Sequence, residues 1–296
     1  MTRSAFPLRP LLCLAAGLAL AGPAWAAKKP PPPPLVTPAV LAQAERAFAA
    51  DGLAMGIKQS FLKHMDDNAV LFQPEPMNAR QAISAQPDAP GPKLDWWPVW
   101  AGIARSGDLG FTTGPYAVND LRRGHYFTVW KRQADGGWKW VYEGGVGSSS
   151  KLAPGPEVAT ALLPLSNVAI ADPPAAGAKV GEADAALNAA AAEDVTTAYM
   201  AVLVCEARVQ GSPAPPAQGC TNFKAELATR ARSITFTTLG GEASAAGDLA
   251  WTYGEADWTR DGKPGHGHYV RVWQARADGW RLVFDQLAPA PPRKPA

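Results

Sequence analysis

The chain has 296 residues, which is enough for two ordinary domains. Its 28 lysines and arginines nearly balance its 26 acidic residues, and the basic residues form no stripe along the sequence. This balance gives no electrostatic basis for binding nucleic acid or an anionic membrane surface. The composition therefore excludes two classes of partner without naming a function.

Residues 1–26 are predicted to be a secretory signal peptide. Arg3 and Arg9 form a basic start, residues 11–22 are apolar, and Ala24-Trp25-Ala26 supplies small residues at the cleavage point. The apolar run is too short to cross a bilayer, so we expect no membrane anchor after cleavage. Cleavage would leave 26 basic and 26 acidic side chains. We therefore expect a neutral mature protein that is exported to the periplasm or secreted.

Residues 27–38 form a proline-rich linker of the kind that acts as a semi-rigid spacer. The first repeat is assigned to residues 39–147. Its pattern predicts helices at 39–48 and 52–64, a short strand at 70–72, a helix at 78–84 capped by Asn78, and strands at 109–118, 125–133 and 138–143.

Residues 148–181 are a second linker, rich in proline, alanine and glycine. So long a loop is unusual in a compact protein unless part of it docks on a domain. We expect its apolar centre, which includes Leu163 and Val168, to lie against one of the repeats.

The second repeat is assigned to residues 182–289, and residues 290–296 form a tail. Its pattern predicts a long helix at 183–209, a helix at 221–230, a strand at 233–238, and three long strands at 249–259, 267–276 and 280–287. Helices followed by three long antiparallel strands are typical of an α+β domain.

Cys205 and Cys220 bracket a loop rich in proline and glycine. Exported chains fold where disulfides persist, so we predict that the two cysteines are bonded. The alternative on sequence alone is that Cys205 is a small buried residue on an apolar helix face.

The strand region of the first repeat has a clearly similar counterpart in the second repeat. Between residues 107 and 141, fifteen positions have an identical counterpart, among them Gly107-Asp108-Leu109 with Gly247-Asp248-Leu249 and Gly124-His125-Tyr126 with Gly267-His268-Tyr269. Chance matching at about 7% per position would give two or three. We conclude that the chain contains an internal duplication, and we interpret the repeated Gly-Asp as turn chemistry.

Several segments resemble one known family. They are Glu45-Arg46-Ala47-Phe48, Asp67-Asn68-Ala69-Val70, Trp97-Pro98, and the stretch from Ser106 to Trp140 with its counterpart in the second repeat. These residues are similar to the bacterial SnoaL-like, domain-of-unknown-function branch of the nuclear transport factor 2-like proteins. The resemblance implies two cone-like α+β domains, each with helices packed on a curved, mostly antiparallel sheet around a pocket. It also implies pairing through the sheets, so we expect the two repeats to form an intramolecular pseudo-dimer.

That family includes ketosteroid isomerase, polyketide cyclases, scytalone dehydratase and binding modules, so the fold does not supply a function. The candidate ligand-binding residues are polar side chains placed to reach a cone interior: His64, Asp66, His125, Tyr126, Tyr199, His268 and Tyr269. His125 and Tyr126 alternate along one strand, so one of them should face inward, and the same holds for His268 and Tyr269.

Tyr199 is the strongest candidate for chemistry. Ketosteroid isomerase resembles this repeat in using a helical tyrosine as an oxyanion donor with an acidic partner. The candidate bases are Asp257, Asp285 and His268. His266 and His268 form a His-x-His pair, but no third and fourth ligand has suitable spacing, so we predict no metal site and no cofactor.

Three functions remain open. We favour an exported protein whose pockets bind a small apolar or aromatic molecule, or hold a partner. The first alternative is an isomerase, cyclase or dehydratase that uses acid–base catalysis in the second repeat. The second is a purely structural tandem with filled cones. A cavity containing Tyr199 and a carboxylate would favour the enzyme, and an apolar cavity would favour binding.

Overall fold

The first half of the chain folds as a group of helices on one side of a sheet. The computed structural model describes residues 36–88 and 91–291, together with Met1, so the predicted signal peptide, most of the first linker and most of the tail lie outside the described residues. The first-half elements are α1 (Ala39–Met55), α2 (Ile57–His64), β1 (Met65–Phe72), β2 (Pro76–Asn78), α3 (Ala79–Ser84), β3 (Leu94–Trp96), β4 (Trp100–Ile103), β5 (Leu109–Val118), β6 (Leu121–Arg132), β7 (Trp138–Gly147) and β8 (Ala161–Leu162).

The strands of the first half form an eight-stranded sheet in the order β2-β1-β7-β6-β5-β4-β8, with β3 paired to β5. Neighbours are antiparallel except that β1 pairs parallel with β7 and β8 pairs parallel with β4. The predicted Asn78 cap is present, since its Oδ1 accepts a hydrogen bond from Gln81 N at 3.1 Å.

The second half repeats this plan. Its elements are α4 (Pro173–Ala191), α5 (Val195–Val202), β9 (Leu203–Gln210), β10 (Ala217–Gln218), α6 (Phe223–Leu227), β11 (Thr235–Ala243), β12 (Leu249–Arg260), β13 (Lys263–Arg276) and β14 (Gly279–Ala290). They form a six-stranded sheet in the order β10-β9-β14-β13-β12-β11, in which β9 pairs parallel with β14. Helices ahead of a mostly antiparallel sheet in both halves confirm the predicted α+β class with two domains of helices packed on a sheet.

The predicted helix at 183–209 is wrong at both ends. Helix α4 begins at Pro173, where the Asp172 side chain caps it by accepting from Ala175 N at 3.1 Å. Asp194 starts a separate helix by accepting from Thr197 N at 2.8 Å. Residues 203–210 are a strand because they pair with β14. Tertiary pairing therefore overrides the helical pattern of this segment.

The predicted disulfide is confirmed. Cys205 lies on β9 rather than on a helix, and its Sγ is bonded to that of Cys220 across a separation of 15 residues. The bond closes the loop between β9 and α6.

A shared apolar layer lies between the two sheets. Phe127 of β6 stacks on Phe284 of β14 with ring centroids 3.7 Å apart, and Tyr142 lies 6.1 Å from Trp251. Residues of both repeats belong to this one buried cluster. Each repeat has its own second cluster between its helices and its sheet.

The duplicated Gly-Asp turns join the repeats to each other. Ala245 N donates to Asp108 Oδ2 at 2.8 Å, and Arg105 N donates to Asp248 Oδ2 at 3.1 Å. The two repeats thus exchange equivalent hydrogen bonds through their repeated aspartates. The structure gives these residues more than the local turn role that the sequence suggests.

The segment between the repeats docks on both of them. Leu163 N donates to Ala101 O at 2.8 Å, and the Leu163 side chain is buried in the layer between the sheets. Ser166 Oγ donates to Ala275 O at 2.7 Å in the second repeat. Over residues 36–88 and 91–291, no helix combines the length and apolar character needed to cross a membrane.

Candidate functional site

The cone of the first repeat is packed mainly by aromatic side chains. Phe48 of α1 contacts Trp96 and Trp130 in edge-on geometry, with ring centroids 4.9 and 6.0 Å apart, and stacks on Trp140 at 6.5 Å. Trp130 and Trp140 are fully buried. These rings fill the part of the cone nearest α1.

One carboxyl group is enclosed by these rings. Glu45 of α1 is fully buried, and it accepts hydrogen bonds from Trp96 Nε1 at 2.6 Å and Trp130 Nε1 at 3.0 Å, and from the Thr112 hydroxyl. Burial raises the pKa of Glu45, although these hydrogen bonds oppose the shift. Glu45 therefore fixes the orientation of two indoles around the cone.

A cavity of about 180 Å³ remains in this cone. It is lined by Phe61, Leu94, Trp96, Tyr116, Tyr126, Glu143, Gly144 and Gly145. An apolar cavity of about 150 Å³ in another protein binds benzene, so this volume fits a molecule of one ring.

The cavity is lined by two polar groups, the hydroxyl of Tyr126 and the carboxyl of Glu143. The Tyr126 side chain is 3% exposed, and its buried hydroxyl makes no hydrogen bond of good geometry among the described residues. Burial raises the pKa of Tyr126, and the nearby Thr112 side chain opposes that shift. Burial raises the pKa of Glu143 to about 8, and the charge of Glu45 adds to the shift. Glu143 is therefore mostly protonated at neutral pH and can donate a hydrogen bond.

The cone of the second repeat is filled by a buried ionic network. Arg271 of β13 is fully buried, and its Nη1 donates to Asp184 Oδ1 at 2.8 Å while its Nε donates to Asp285 Oδ2 at 3.3 Å. Its Nη2 donates to Tyr199 Oη at 2.8 Å, and Tyr199 Oη donates to Asp285 Oδ2 at 3.0 Å. Arg230 Nη2 lies 2.6 Å from Asp285 Oδ1.

The two cones are built from equivalent residues. Five side-chain pairs correspond through the repeat or the equivalent helix: Glu45 with Asp184, Thr112 with Thr252, Tyr126 with Tyr269, Trp130 with Trp273, and Glu143 with Asp285. In the first cone Glu45 accepts from the Thr112 hydroxyl, to which Trp130 Nε1 donates at 3.0 Å. In the second cone Asp184 accepts from the Thr252 hydroxyl, to which Trp273 Nε1 donates at 3.3 Å. The cones differ at Thr128, whose counterpart is Arg271.

A second cavity, of about 220 Å³, lies beside the network. It is lined by Gly211, Ser212, Pro213, Thr229, Arg230, Ala231, Ile234, Trp258, Arg260, Leu287 and Pro289. The Arg230 side chain is 3% exposed, and its Nε and Nη1 have no hydrogen-bond partner among the described residues. This cavity therefore combines apolar walls with a buried cation.

The four candidate residues of the first repeat do not share one site. Tyr126 lines the first cavity. His64, at the end of α2, pairs through Nε2 with Asp51 Oδ2 at 2.5 Å, and Asp66 accepts from Gln133 Nε2 at 3.1 Å. His125 is buried with Nδ1 2.8 Å from Ser148 Oγ, and burial lowers its pKa to about 4, with Arg208 and Arg122 adding to the shift. His64, Asp66 and His125 do not line that cavity.

The candidate residues of the second repeat fall into two groups. Tyr199, Tyr269 and Asp285 belong to the network around Arg271, are fully buried, and line neither cavity. His268 and Asp257 lie away from that network, in a cluster with His266. A tyrosine and a carboxylate are thus within hydrogen-bond distance in this repeat, but the space beside them is filled by Arg271.

The histidine cluster has a ligand-type partner that the sequence pattern does not indicate. Glu75, from the β1–β2 turn of the first repeat, lies 3.0 Å from His268 Nε2 and 3.4 Å from His266 Nε2. The prediction of no metal site assumed that no third ligand is available, and this assumption does not hold in three dimensions. Glu75 and His268 are 193 residues apart, so no local spacing could reveal the contact.

Sequence reasoning also missed the residues that shape both cones. Glu143, Asp184, Arg230 and Arg271 were not candidates, and Glu45 entered only as part of a family resemblance. The duplication itself contained a usable signal, because it aligns Glu143 with Asp285 and Thr128 with Arg271. No comparable signal exists for Arg230.

Solved structures similar to this chain include proteins described as nuclear transport factor 2-like. A protein of unknown function from Pseudomonas putida KT2440 is 12% identical, covers 40% of this chain and 88% of its own, and gives a TM-score of 0.34. A ketosteroid isomerase-like protein from Erwinia carotovora atroseptica SCRI1043 is 15% identical over 39% of this chain and 96% of its own, with a TM-score of 0.35.

A third similar structure is a DUF3225-family protein of unknown function from Pectobacterium atrosepticum SCRI1043. It is 17% identical over 40% of this chain and 92% of its own, with a TM-score of 0.33. No protein-family model matches this chain. No curated protein matches it significantly.

Proposed function

We propose that the protein binds a small, uncharged, single-ring molecule in the cavity of the first repeat. The observation that supports this most directly is the pairing of an unpartnered buried hydroxyl, Tyr126, with a neutral acid, Glu143, in one cavity of about 180 Å³. Buried polar groups without partners are costly, so a ligand oxygen that satisfies them gains binding energy.

The walls of the cavity define the chemistry of the ligand. Phe61, Leu94 and Trp96 offer apolar and aromatic contact to a ring. The Tyr126 hydroxyl and the protonated Glu143 can both donate hydrogen bonds, which suits a carbonyl or ring oxygen. A carboxylate ligand is disfavoured because no basic group lines the cavity to compensate its charge.

The other two functions receive less support. Acid–base catalysis in the second repeat would need substrate to reach Tyr199 and Asp285, yet both are fully buried against Arg271. A purely structural tandem describes the second cone well. It leaves the Tyr126 hydroxyl and the raised pKa of Glu143 unexplained.

Binding of acetophenone, an aromatic ketone that fits the cavity, tests the proposal. Saturation-transfer NMR and quenching of tryptophan fluorescence should detect binding, with ethylbenzene binding more weakly because it lacks the oxygen. Tyr126→Phe should weaken acetophenone binding by about 2- to 12-fold, since one hydrogen bond contributes about 0.5–1.5 kcal/mol. Thr128→Arg should abolish binding by placing in this cone the side chain that fills the other.

Tyr253→Phe is the matched control, because Tyr253 lies on β12 and does not line this cavity. Circular dichroism would establish that each variant is folded. If acetophenone does not bind, or binds Tyr126→Phe and Tyr253→Phe equally well, the proposed site is wrong. Tyr126→Phe keeps the test decisive should Thr128→Arg fail to fold.

A second candidate function is the binding of a small carboxylate in the other cavity. The unpartnered Nε and Nη1 of Arg230 favour an anion there, and Trp258, Ile234 and Leu287 favour an apolar body. Benzoate should therefore bind in a salt-sensitive way, and Thr128→Arg should leave its affinity unchanged. Benzoate binding that disappears with Thr128→Arg would assign it to the first cavity and contradict this candidate.

We further propose that the protein is exported and that its repeats act as an intramolecular pseudo-dimer. The Cys205–Cys220 bond supports export, because disulfides persist in oxidising compartments. The Phe127–Phe284 stack and the exchanged aspartate hydrogen bonds support the pseudo-dimer. N-terminal sequencing of protein from a periplasmic fraction should begin after Ala26, and an intact N-terminus in the cytoplasm would contradict export.

A further inference from the structure

A cluster of two histidines and one carboxylate joins the two repeats. His266 and His268 lie on β13 of the second repeat, and they share one face of the strand because side chains two residues apart point the same way. Glu75 reaches them from the β1–β2 turn of the first repeat. The ligand-type atoms of the three residues all lie within 4.8 Å of one another.

We propose that Glu75, His266 and His268 bind a divalent transition metal ion, with Zn²⁺ as the best-fitting ion. Two histidines and one carboxylate are a known zinc ligand set, which leaves a fourth position open. Nitrogen and oxygen donors about 2.0–2.1 Å from a tetrahedral zinc lie about 3.3–3.4 Å apart. Glu75 Oε1 lies 3.4 Å from His266 Nε2 and Glu75 Oε2 lies 3.0 Å from His268 Nε2, so each histidine is near this spacing from one oxygen of the same carboxylate. Binding an ion would draw the three ligand atoms together from their present spread of up to 4.8 Å.

The hydrogen bonds of His266 provide an independent argument for a cation. Asp257 Oδ1 lies 2.9 Å from His266 Nδ1, and an ionised carboxylate can only accept, so the proton belongs on Nδ1. In the neutral ring Nε2 then carries a lone pair. That nitrogen is buried, has no hydrogen-bond partner among the described residues, and faces a Glu75 oxygen. A cation at this point could bind the histidine nitrogen and the Glu75 oxygen together.

The surroundings of the histidines suit a metal site. A carboxylate that hydrogen-bonds the nitrogen of a histidine that does not bind the metal fixes the orientation of the ring and raises its basicity. Asp257 is placed to do this for His266, because it contacts Nδ1. The side chains of His266 and His268 are 5% and 1% exposed, whereas that of Glu75 is 49% exposed. Two ligands are thus held rigidly in the sheet, and the third lies on the solvent side, where an ion can enter.

An open coordination position would face a further cavity between the repeats. His268 lines a space of about 190 Å³ together with Phe72, Tyr142 and Gln286. A water molecule or a small ligand there could complete the coordination of the ion. The site would also clamp the repeats together, because its ligands come from both.

Metal binding by tag-free protein tests the proposal. After dialysis against micromolar Zn²⁺, mass spectrometry of the metal content should find one Zn²⁺ per chain. Co²⁺ in its place should give the intense visible absorption of a four-coordinate ion. Glu75→Gln should lower Zn²⁺ affinity by more than tenfold, and Asp257→Asn should lower it by about 10–100-fold, as loss of a histidine's supporting partner does elsewhere.

Glu157→Gln is the matched control, since it makes the same substitution at an exposed glutamate outside the cluster. It should keep wild-type stoichiometry and affinity. Absence of stoichiometric Zn²⁺, the weak spectrum of six-coordinate Co²⁺, or equal affinity in Glu75→Gln and Glu157→Gln would overturn the proposal. Zn²⁺ should also raise the melting temperature of the wild type and Glu157→Gln more than that of Glu75→Gln, because binding to the folded state stabilises it.

Discussion

Replacing Arg271 with methionine should destabilise the protein strongly. Arg271 is fully buried and contacts two carboxylates, Asp184 at 2.8 Å and Asp285 at 3.3 Å. Methionine keeps most of the apolar stem but removes the charge. Removing one partner of a buried ion pair costs about 3–5 kcal/mol, because the other charge is left uncompensated in the interior.

The structure indicates which carboxylate would carry that cost. Asp285 keeps Arg230, whose Nη2 lies 2.6 Å away. Asp184 keeps only hydroxyl donors among the contacts described: Thr238 at 2.6 Å, Thr252 at 3.0 Å and Tyr269 at 3.0 Å. Most of the penalty should therefore fall on Asp184. Asp184→Leu combined with Arg271→Met should cost less than the sum of the two single variants, by about 2 kcal/mol.

Urea unfolding, followed by tryptophan fluorescence and circular dichroism, would measure these costs. Arg281→Met is the matched control, because Arg281 pairs with an exposed aspartate and should cost about 0–1 kcal/mol. A cost below about 1 kcal/mol for Arg271→Met, or strict additivity with Asp184→Leu, would refute the view that this network is a buried structural unit.

The stability cost of Arg271→Met should depend on pH. Burial acts to raise the pKa of Asp184, but the Arg271 charge and several hydrogen bonds overcome it, so the pKa is lowered. A carboxyl whose pKa is lower in the folded state stabilises the fold above its unfolded pKa, about 3.9, and loses that contribution as pH falls through the folded value. The stability gap between wild type and Arg271→Met should therefore be widest at neutral pH and narrow in acid.

Three further predictions concern other parts of the chain. The folded pKa of Glu143 lies above its ordinary value of 4.5, at about 8, so this group should lower wild-type stability as pH rises between these values. Glu143→Gln should flatten that slope in pH-dependent melting curves. Replacing both Cys205 and Cys220 with serine should lower the free energy of unfolding by about 3 kcal/mol for a loop of this size, and a loss below 1 kcal/mol would contradict the expected constraint. In urea unfolding, Asp248→Ala should lower the free energy of unfolding by about 2 kcal/mol and Asp108→Ala by about 1 kcal/mol, because Asp248 is the more buried of the two. A larger loss for Asp108→Ala would contradict the expectation that burial sets the cost of losing these hydrogen bonds between the repeats.

The sheets were predictable from the sequence because the duplication marks them. The predicted strands at 109–118 and 249–259 agree with β5 and β12 to within a residue. The parallel strands β1 and β9 were missed or shortened, since their formation depends on pairing with β7 and β14 far along the chain. The caps Asp172 and Asp194 did carry local signals that would have divided the long helix correctly.

The candidate sites were harder to predict because they depend on contacts between distant segments. Tyr126 was identified as a candidate because it alternates with His125 on a strand, but nothing local indicates that its hydroxyl lacks a partner. The acid network of the second repeat joins Asp184 to Arg271, which are 87 residues apart. A sequence can identify residues capable of chemistry, whereas burial and pairing in the folded protein decide which of these side chains are free to contact a ligand.

The difference between the two cones follows largely from one pair of equivalent positions. Both cones contain a helix acid, a threonine, a tyrosine and a strand acid in matching places. In the second cone Arg271 neutralises both acids and occupies the space between them, so the hydroxyls of Tyr199 and Tyr269 are engaged in hydrogen bonds. In the first cone the smaller, uncharged Thr128 does neither. The acids there keep raised pKa values, and a cavity with an unsatisfied hydroxyl remains. The repeat that contains the predicted pair of a tyrosine and a carboxylate, Tyr199 and Asp285, is therefore the one whose pair is already engaged by arginine. The first repeat instead keeps a cavity beside its tyrosine and its strand acid.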